Sequence, residues 1–235
     1  MATVTTRTGT TAKTQPPTTG ASSARPARES FSDRALGWIR AHRQITTWVG
    51  VILAVAAVLF VWTWTSSRRT EEVASRELQG ARFAFENQNL PLAASELAKI
   101  TENYSGTRAA QEARLVLGQV RLLQGQPQQA VSVLQDFAPR ASAPYRPQAY
   151  GLLGAAYENM GRSREAAEAY QSGADAAELD FLKAQMLSDA GRAWTTAGDT
   201  AKAVAAYRRI VQDFDKDGNV TEAKVRLSEL TKGAL

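Results

Sequence analysis

The sequence predicts an all-α protein in three parts: a basic N-terminal tail, one membrane-spanning helix, and about four stacked helical hairpins closed by a C-terminal capping helix. Three observations predict it. Residues 45–65 carry no charge. Beyond residue 70, small residues recur at steps of 36 and 37 positions. The composition is rich in Ala, Gln, Arg, Leu and Glu, with few Val or Ile outside one short stretch, which favours helix over sheet.

The tail comes first. Residues 1–30 consist mainly of Thr, Ala, Ser, Pro and Arg, with no aromatic, Leu or Ile. Such a segment buries too little apolar surface to offset its ordering entropy and reads as disordered. A transit peptide is the sharper alternative, but no amphipathic helix stands out in it. Residues 1–65 hold seven basic residues against two acids, which is the whole of the net charge of +5. The C-terminal part is therefore neutral and lacks the basic footprint that nucleic acid requires. The chain has no Cys, and its one His is His42. Disulfides, thiolate metal sites, cysteine nucleophiles and His-based metal or acid–base chemistry in the C-terminal part are excluded.

Residues 31–44 mix Phe31, Leu36, Trp38 and Ile39 with Arg34, Arg40, His42 and Arg43. This reads as a juxtamembrane segment lying in the interface. The run 45–65 follows. At about 1.5 Å per residue it reaches about 30 Å, the thickness of a hydrocarbon core. Trp48 marks one edge, and Trp62 and Trp64 the other, as an aromatic belt does. Arg40 and Arg43 close one end, and Arg68 and Arg69 the other. A cleavable signal peptide competes, but its apolar core is shorter, about 7–15 residues. The basic tail favours the N-terminus inside and the C-terminal domain outside, which in a bacterium is the periplasm.

The repeat is the main signal of residues 71–232. One copy holds Leu117-Gly118, Gly125, Ala130 and Leu134. The next holds Leu153-Gly154, Tyr157, Gly161, Ala166 and Tyr170. A third holds Ala190-Gly191, Trp194, Gly198, Ala203 and Tyr207. A weaker copy upstream holds Ala81, Ala93 and Leu97. The first small residue of each copy (Ala81, Gly118, Gly154, Gly191) lets the two helices of a hairpin approach, with the later Ala as its expected partner. Gly125, Gly161 and Gly198 are placed to end the first helix in a left-handed conformation. Start signals follow: Pro127 near the first helical position, Ser163 and Asp199 as N-caps, and Pro91 at the same turn of the weak copy. Tyr150, Tyr157, Tyr170, Trp194 and Tyr207 read as aromatic fillers between hairpins. Val220–Thr231 reads as an amphipathic capping helix.

This pattern resembles the tetratricopeptide repeat (TPR). The second full copy is the best match, with Tyr150, Leu153-Gly154, Tyr157, Ala166 and Tyr170 at the family's large, Leu-Gly, large, Ala and aromatic positions. Two or three residues beyond the usual period fall between hairpins, and the usual closing Pro is missing. The resemblance implies an α-solenoid whose first helices line a protein-binding groove. It places Phe85, Leu115, Gln119, Leu122, Gly151, Ala155, Ser188, Arg192 and Thr195 in that lining. The family's clamp for a peptide carboxylate needs Lys and Asn where this chain has Leu115 and Gln119, Gly151 and Ala155, and Ser188 and Arg192, so the clamp is absent. The lining suits an apolar helix or extended peptide. Several of these residues read equally well as packing residues.

Three other motifs stand out in the sequence. Asp213-Phe214-Asp215-Lys216-Asp217-Gly218 opens like a calcium loop, but the twelfth position is Lys224 instead of a bidentate acid. The structural reading is a polar turn with Gly218 as helix terminator and Asn219 as cap. Asn103-Tyr104-Ser105 and Asn219-Val220-Thr221 match a glycan acceptor pattern and are given no role. Glu165, Glu168, Asp175 and Glu178 read as a solvated face near Arg162 and Arg164. No catalytic set, phosphate loop or zinc pattern is present in the sequence, so no enzyme activity, cofactor, metal or small-molecule substrate is expected.

The layout of short N-terminal segment, one membrane helix and TPR domain is similar to the ancillary subunit family of the bacterial SecYEG translocon, carried by Trp38-Ile39, the Ile45–Trp64 span and the repeat block. That resemblance implies a periplasmic TPR domain whose partners are the translocon and periplasmic chaperones, beside the lipid bilayer. The long tail departs from the family's compact N-terminus. A scaffold or assembly subunit of another envelope complex is the alternative.

Overall fold

The computed structural model describes residues 43–216 and 218–233. The expected disordered tail 1–30, and nearly all of the juxtamembrane segment 31–44, lie outside the described residues.

Among the described residues the chain is helical, with no strand. It divides into two compact units, Met1–Val58 and Leu59–Leu235. The helices are α1 (Arg43–Glu86), α2 (Leu90–Asn103), α3 (Arg108–Leu123), α4 (Pro127–Leu134), α5 (Arg146–Asn159), α6 (Ser163–Ala176), α7 (Asp180–Thr196), α8 (Thr200–Asp213) and α9 (Asn219–Thr231). A short 3-10 turn, Ala138–Arg140, follows α4. In the first unit, the described part of α1 exposes Ile45, Trp48, Val49, Val51, Ile52, Leu53, Val55 and Val58, as a lipid-facing surface would. α1 is long and apolar enough to cross a membrane.

The second unit holds the repeats. Within it α1 runs on unbroken from the apolar residues Leu59–Trp64 to Glu86, so the apolar stretch passes into the first hairpin with no linker. The hydroxyls of Thr63, Thr65, Ser67 and Thr70 donate back to carbonyls three or four residues earlier. The polar side chains of this stretch are thus satisfied inside the helix itself. Past Thr70 the helix becomes amphipathic, burying Ala74, Leu78, Ala81 and Ala84.

Four hairpins follow: α1 with α2, α3 with α4, α5 with α6, and α7 with α8, with α9 as the cap. Each in-hairpin turn is three residues long, and each contains one left-handed residue. Gly125, Gly161 and Gly198 have φ of 68°, 72° and 77°, as their spacing predicts. The weak first copy uses Gln88 at φ 60° in the same place, a conformation that penalises a Cβ. Asp199 caps α8 by accepting the Lys202 N–H at 3.1 Å. Pro127 begins α4, and Asn89 caps α2 ahead of Pro91. Ser163 is not an N-cap: it is the first residue of α6, and Arg162 precedes it with no side-chain cap.

The hairpin interior corrects one packing expectation. A Cβ on Gly154 would lie 2.7 Å from the Tyr170 ring, one on Gly191 would lie 2.7 Å from Tyr207, and one on Gly118 would lie 2.8 Å from Leu134. The small residue of the first helix therefore seats the large residue sixteen positions later, and Ala81 stands at the same spacing from Leu97. The later alanines, 93, 130, 166 and 203, are fully buried. Tyr170 and Tyr207 accordingly fill their own hairpins rather than the space between hairpins. Gly173 supplies a further close approach unread in the sequence: a Cβ there would come 3.2 Å from Met186 and from Tyr150, on the helices to either side.

The buried residues form two clusters. One joins α1, α2 and α3 through Leu78, Leu97, Ile100, Leu117 and Val120. The other runs from Leu115 to the Val220, Ala223 and Leu227 face of α9, so α9 covers the last hairpin as a cap should. Gly218 is not a helix terminator. α8 ends at Asp213 with Phe214 as C-cap, and Gly218 sits in right-handed conformation just before α9, whose first residue is Asn219.

Candidate functional site

The first-helix face of the hairpins is built from α1, α3, α5 and α7. The structure sorts the nine expected groove residues into two groups. Leu115 is 2% exposed and belongs to the core. Gly151 is covered from α7, since a Cβ there would lie 2.8 Å from Met186 Cε. Phe85 and Leu122 are half-buried against the core clusters. These four are packing residues, because the heptad-like face that meets the next helix overlaps the face that would meet a partner. Ala155 and Ser188 remain half-accessible, and Gln119, Arg192 and Thr195 are exposed.

Arg192 and Thr195 are brought together in a cleft of about 170 Å3, which also takes in Thr196, Tyr207, Arg226, Glu229 and Leu230. The cleft lies between the last hairpin and the cap. It adjoins a polar cluster that joins two repeats. Arg192 donates through Nη1 to Glu158 Oε1 at 2.5 Å and through Nη2 to Asp189 Oδ1 at 2.9 Å. Glu158 Oε2 also accepts the Tyr170 hydroxyl at 2.8 Å. Arg226 on α9 pairs with Glu229 at 3.2 Å and Glu222 at 3.7 Å. This face thus carries four carboxylates against two guanidiniums.

Burial shifts three groups on this face. It pushes the Asp189 carboxyl above the usual carboxylate range, against the pull of Arg192. Burial, with the hydrogen bond to Glu158 second, pushes the Tyr170 phenol up, and burial does the same for Tyr207. The carboxylates of Glu158 and Asp189 are largely covered while Arg192 is exposed, so the Glu158–Arg192 link joins α5 to α7 at the surface.

Glu158, Tyr170, Asp189, Tyr207 and Arg226 were missed in the sequence. Glu158 and Arg192 stand 34 positions apart, near one repeat, and that spacing was the available signal. Trp194 Nε1 is buried with no hydrogen-bond partner, the one such side-chain atom among the described residues, and nothing around it explains this.

The other motifs resolve simply. Lys224 is exposed on α9 and Asp217 is outside the described residues, so the calcium-like turn has no acid at its twelfth position. Glu165 pairs with Arg162 at 2.8 Å, and that guanidinium holds its carboxyl below the usual range. Asp175 pairs across hairpins with Arg209 at 3.0 Å. Among the described residues no group of His, Cys, Asp and Glu is arranged to hold a metal.

The face that joins the first hairpin to the second has its own geometry. Glu71 of α1 accepts the backbone N–H of Arg108 at 2.9 Å and of Ala109 at 3.0 Å, capping the start of α3 from a different helix. The Thr107 hydroxyl takes the next N–H, that of Ala110. Tyr104 donates to Glu77 at 2.8 Å, and Arg82 pairs with Glu112.

Comparison with known proteins agrees with this architecture. Two solved structures of nearly identical TPR-like repeats from a Podosopora anserina kinesin light chain, one a single-substitution variant, superpose with a TM-score of 0.55 at 18% identity. The match covers 70% of this chain and 87% of those chains, and at that identity it speaks for the fold alone. No curated protein matches the chain. The tetratricopeptide repeat-like domain family matches residues 65–188, more than half of the chain. The chain therefore belongs to the tetratricopeptide repeat-like domain family.

Proposed function

We propose that the protein is a membrane-anchored TPR scaffold of the bacterial envelope, with its N-terminus in the cytoplasm and its repeats in the periplasm. TPR-like domains bind protein partners and are typically non-catalytic. The observation that carries the reading is α1, which holds both the apolar stretch and the first helix of the first hairpin. The groove offers Gln119, Ala155, Ser188, Arg192 and Thr195 to an apolar helix or extended peptide whose donors meet the surplus carboxylates near Arg192. Its specific role is that of an ancillary subunit of the SecYEG translocon, linking secretion to periplasmic chaperones. The layout of anchor and repeats supports that role. Affinity capture of the full chain in mild detergent tests it: translocon subunits should be recovered with it.

The 30-residue tail favours a second reading, a scaffold or assembly subunit of another envelope complex. Recovery of that complex with no translocon subunit would select it. Protease added to spheroplasts should digest the repeat domain; full protection would refute the periplasmic placement under either reading.

A further inference from the structure

We propose that the outer face of the first hairpin docks an amphipathic helix of a partner protein, apolar toward Gly80 and Phe83 and acidic toward Arg76 and Lys99. The repeat itself marks this face. Arg76, Gly80 and Phe83 stand at spacings of four and three on α1 and so share one side of the helix. In the later first helices the counterparts of Gly80 are Leu117, Leu153 and Ala190, and those of Phe83 are Val120, Ala156 and Ala193. All six are buried, Leu153 being the most exposed at 5%. The preceding hairpin covers them. Leu117 and Val120 share a buried cluster with Leu78 and Ala81 of α1. Met186, the counterpart of Arg76 in α7, lies under α5 and α6: a Cβ on Gly151 would come 2.8 Å from its Cε, and one on Gly173 3.2 Å from its Sδ.

Among the described residues no hairpin precedes α1. Phe83 is 69% exposed where its three counterparts are fully buried, and Leu92 of α2 is exposed with it. Nothing lies within 4 Å of a Cβ built on Gly80, which opens on a cleft of about 360 Å3 with Ile100 in its lining. The other end of the stack is finished differently. There α9 turns out Glu222, Lys224, Arg226 and Glu229 around Val225, the polar outer face that a terminal repeat needs. The first hairpin presents an aromatic ring and an open cleft instead. What covers the same positions in the three later hairpins is helix, so helix is the shape that fits here.

Charge selects the helix. Arg76, about one turn before Gly80, donates through Nε to the Glu72 carbonyl at 3.3 Å and enters no ion pair among the described residues. Lys99 lines the cleft from α2 and enters none either, and Arg69, two turns before Arg76 on the same side of α1, is likewise unpaired. Of the two carboxylates in the lining, Glu77 accepts the Tyr104 hydroxyl and Glu96 is left. Arg69, Arg76 and Lys99 thus outnumber Glu96 and the exposed Glu72 among the unpaired charges of this face, which favours carboxylates on the partner. A second copy of the chain would bring the same cations against their own kind across a two-fold axis, so like charge disfavours self-pairing.

The test titrates the full chain in mild detergent with two fluorescent helical peptides of about 18 residues. Both carry a Leu stripe at helical spacing; one flanks it with Glu and the other with Lys. The Glu peptide should bind about tenfold tighter than the Lys peptide, and its affinity should fall as salt rises. Phe83→Ser, at an exposed position, should weaken it about tenfold. Arg76→Glu with Lys99→Glu should reverse the order of the two peptides. Leu179→Ser with Phe181→Ser removes another exposed apolar pair and should leave binding unchanged. No binding of the Glu peptide, equal affinity for both peptides, or full affinity in the Phe83→Ser chain would each overturn the proposal. Binding lost with the Leu179 and Phe181 pair would overturn the site. A wild-type dimer that Phe83→Ser disperses would give the face to a second copy and overturn the partner.

Discussion

Replacing Gly154 by Ala adds a single Cβ at the tightest point of the third hairpin. That atom would lie 2.7 Å from Tyr170 Cε1 and 2.8 Å from Cδ1 and Cζ. Ordinary carbon contacts begin near 3.5 Å, so the ring must retreat by about 1 Å. It has little freedom to do so. Tyr170 is 5% exposed, and its hydroxyl is tied to Glu158, which Arg192 holds in turn. Overpacking of this kind costs about 1–3 kcal/mol. Ala in place of a helical Gly returns about 1 kcal/mol of propensity. Gly80→Ala isolates the two effects, because nothing lies within 4 Å of a Cβ at Gly80. The two variants should therefore differ by about 1–3 kcal/mol, with Gly80→Ala above the wild type, at about 2–4 °C of Tm per kcal/mol for a domain of this size. Gly118→Ala should fall between them, since it meets the branched end of Leu134, which can turn aside more easily than a tyrosine ring. The double variant Gly154→Ala with Tyr170→Leu recreates the Ala81 and Leu97 pair of the first hairpin and should recover much of the loss. Circular dichroism melts of the full chain in mild detergent measure all four. If Gly154→Ala melts as high as Gly80→Ala, the close-approach argument is wrong.

Three further outcomes follow. Gln88→Gly should stabilise the chain by about 1 kcal/mol, because Gln88 holds φ 60° where the other hairpins use Gly, and denaturant titration reads it. Glu71→Ala should cost about 1.5–3 kcal/mol by removing two charge-assisted bonds to the start of α3, with faster hydrogen exchange at Arg108 and Ala109; unchanged exchange there would count against the cap. Alkali should destabilise the fold. Tyr104, Tyr170 and Tyr207 have phenols raised above the usual value, so above about pH 10 the unfolded chain gives up protons that the folded chain keeps. Their stabilisation is whole below that pH and is lost as pH rises through the folded values, and Tyr170→Phe should flatten the fall.

The helical hairpins, their three glycine turns and the long apolar helix were legible in the sequence because each depends on local chemistry. A left-handed turn favours Gly, as at Gly125, Gly161 and Gly198, whatever surrounds it, and a long uncharged run needs no partner to be recognised. The order of hairpins followed from a repeat that each copy writes for itself. Tertiary structure decided what side chains do across helices. It placed Leu115 and Gly151 in packing instead of in the groove, and set Tyr170 and Tyr207 on Gly154 and Gly191. It also joined Glu158 to Arg192 and set Glu71 on the start of α3. Those outcomes turn on which face of one helix meets which face of another, and a repeat's period fixes the stacking order but not that rotation.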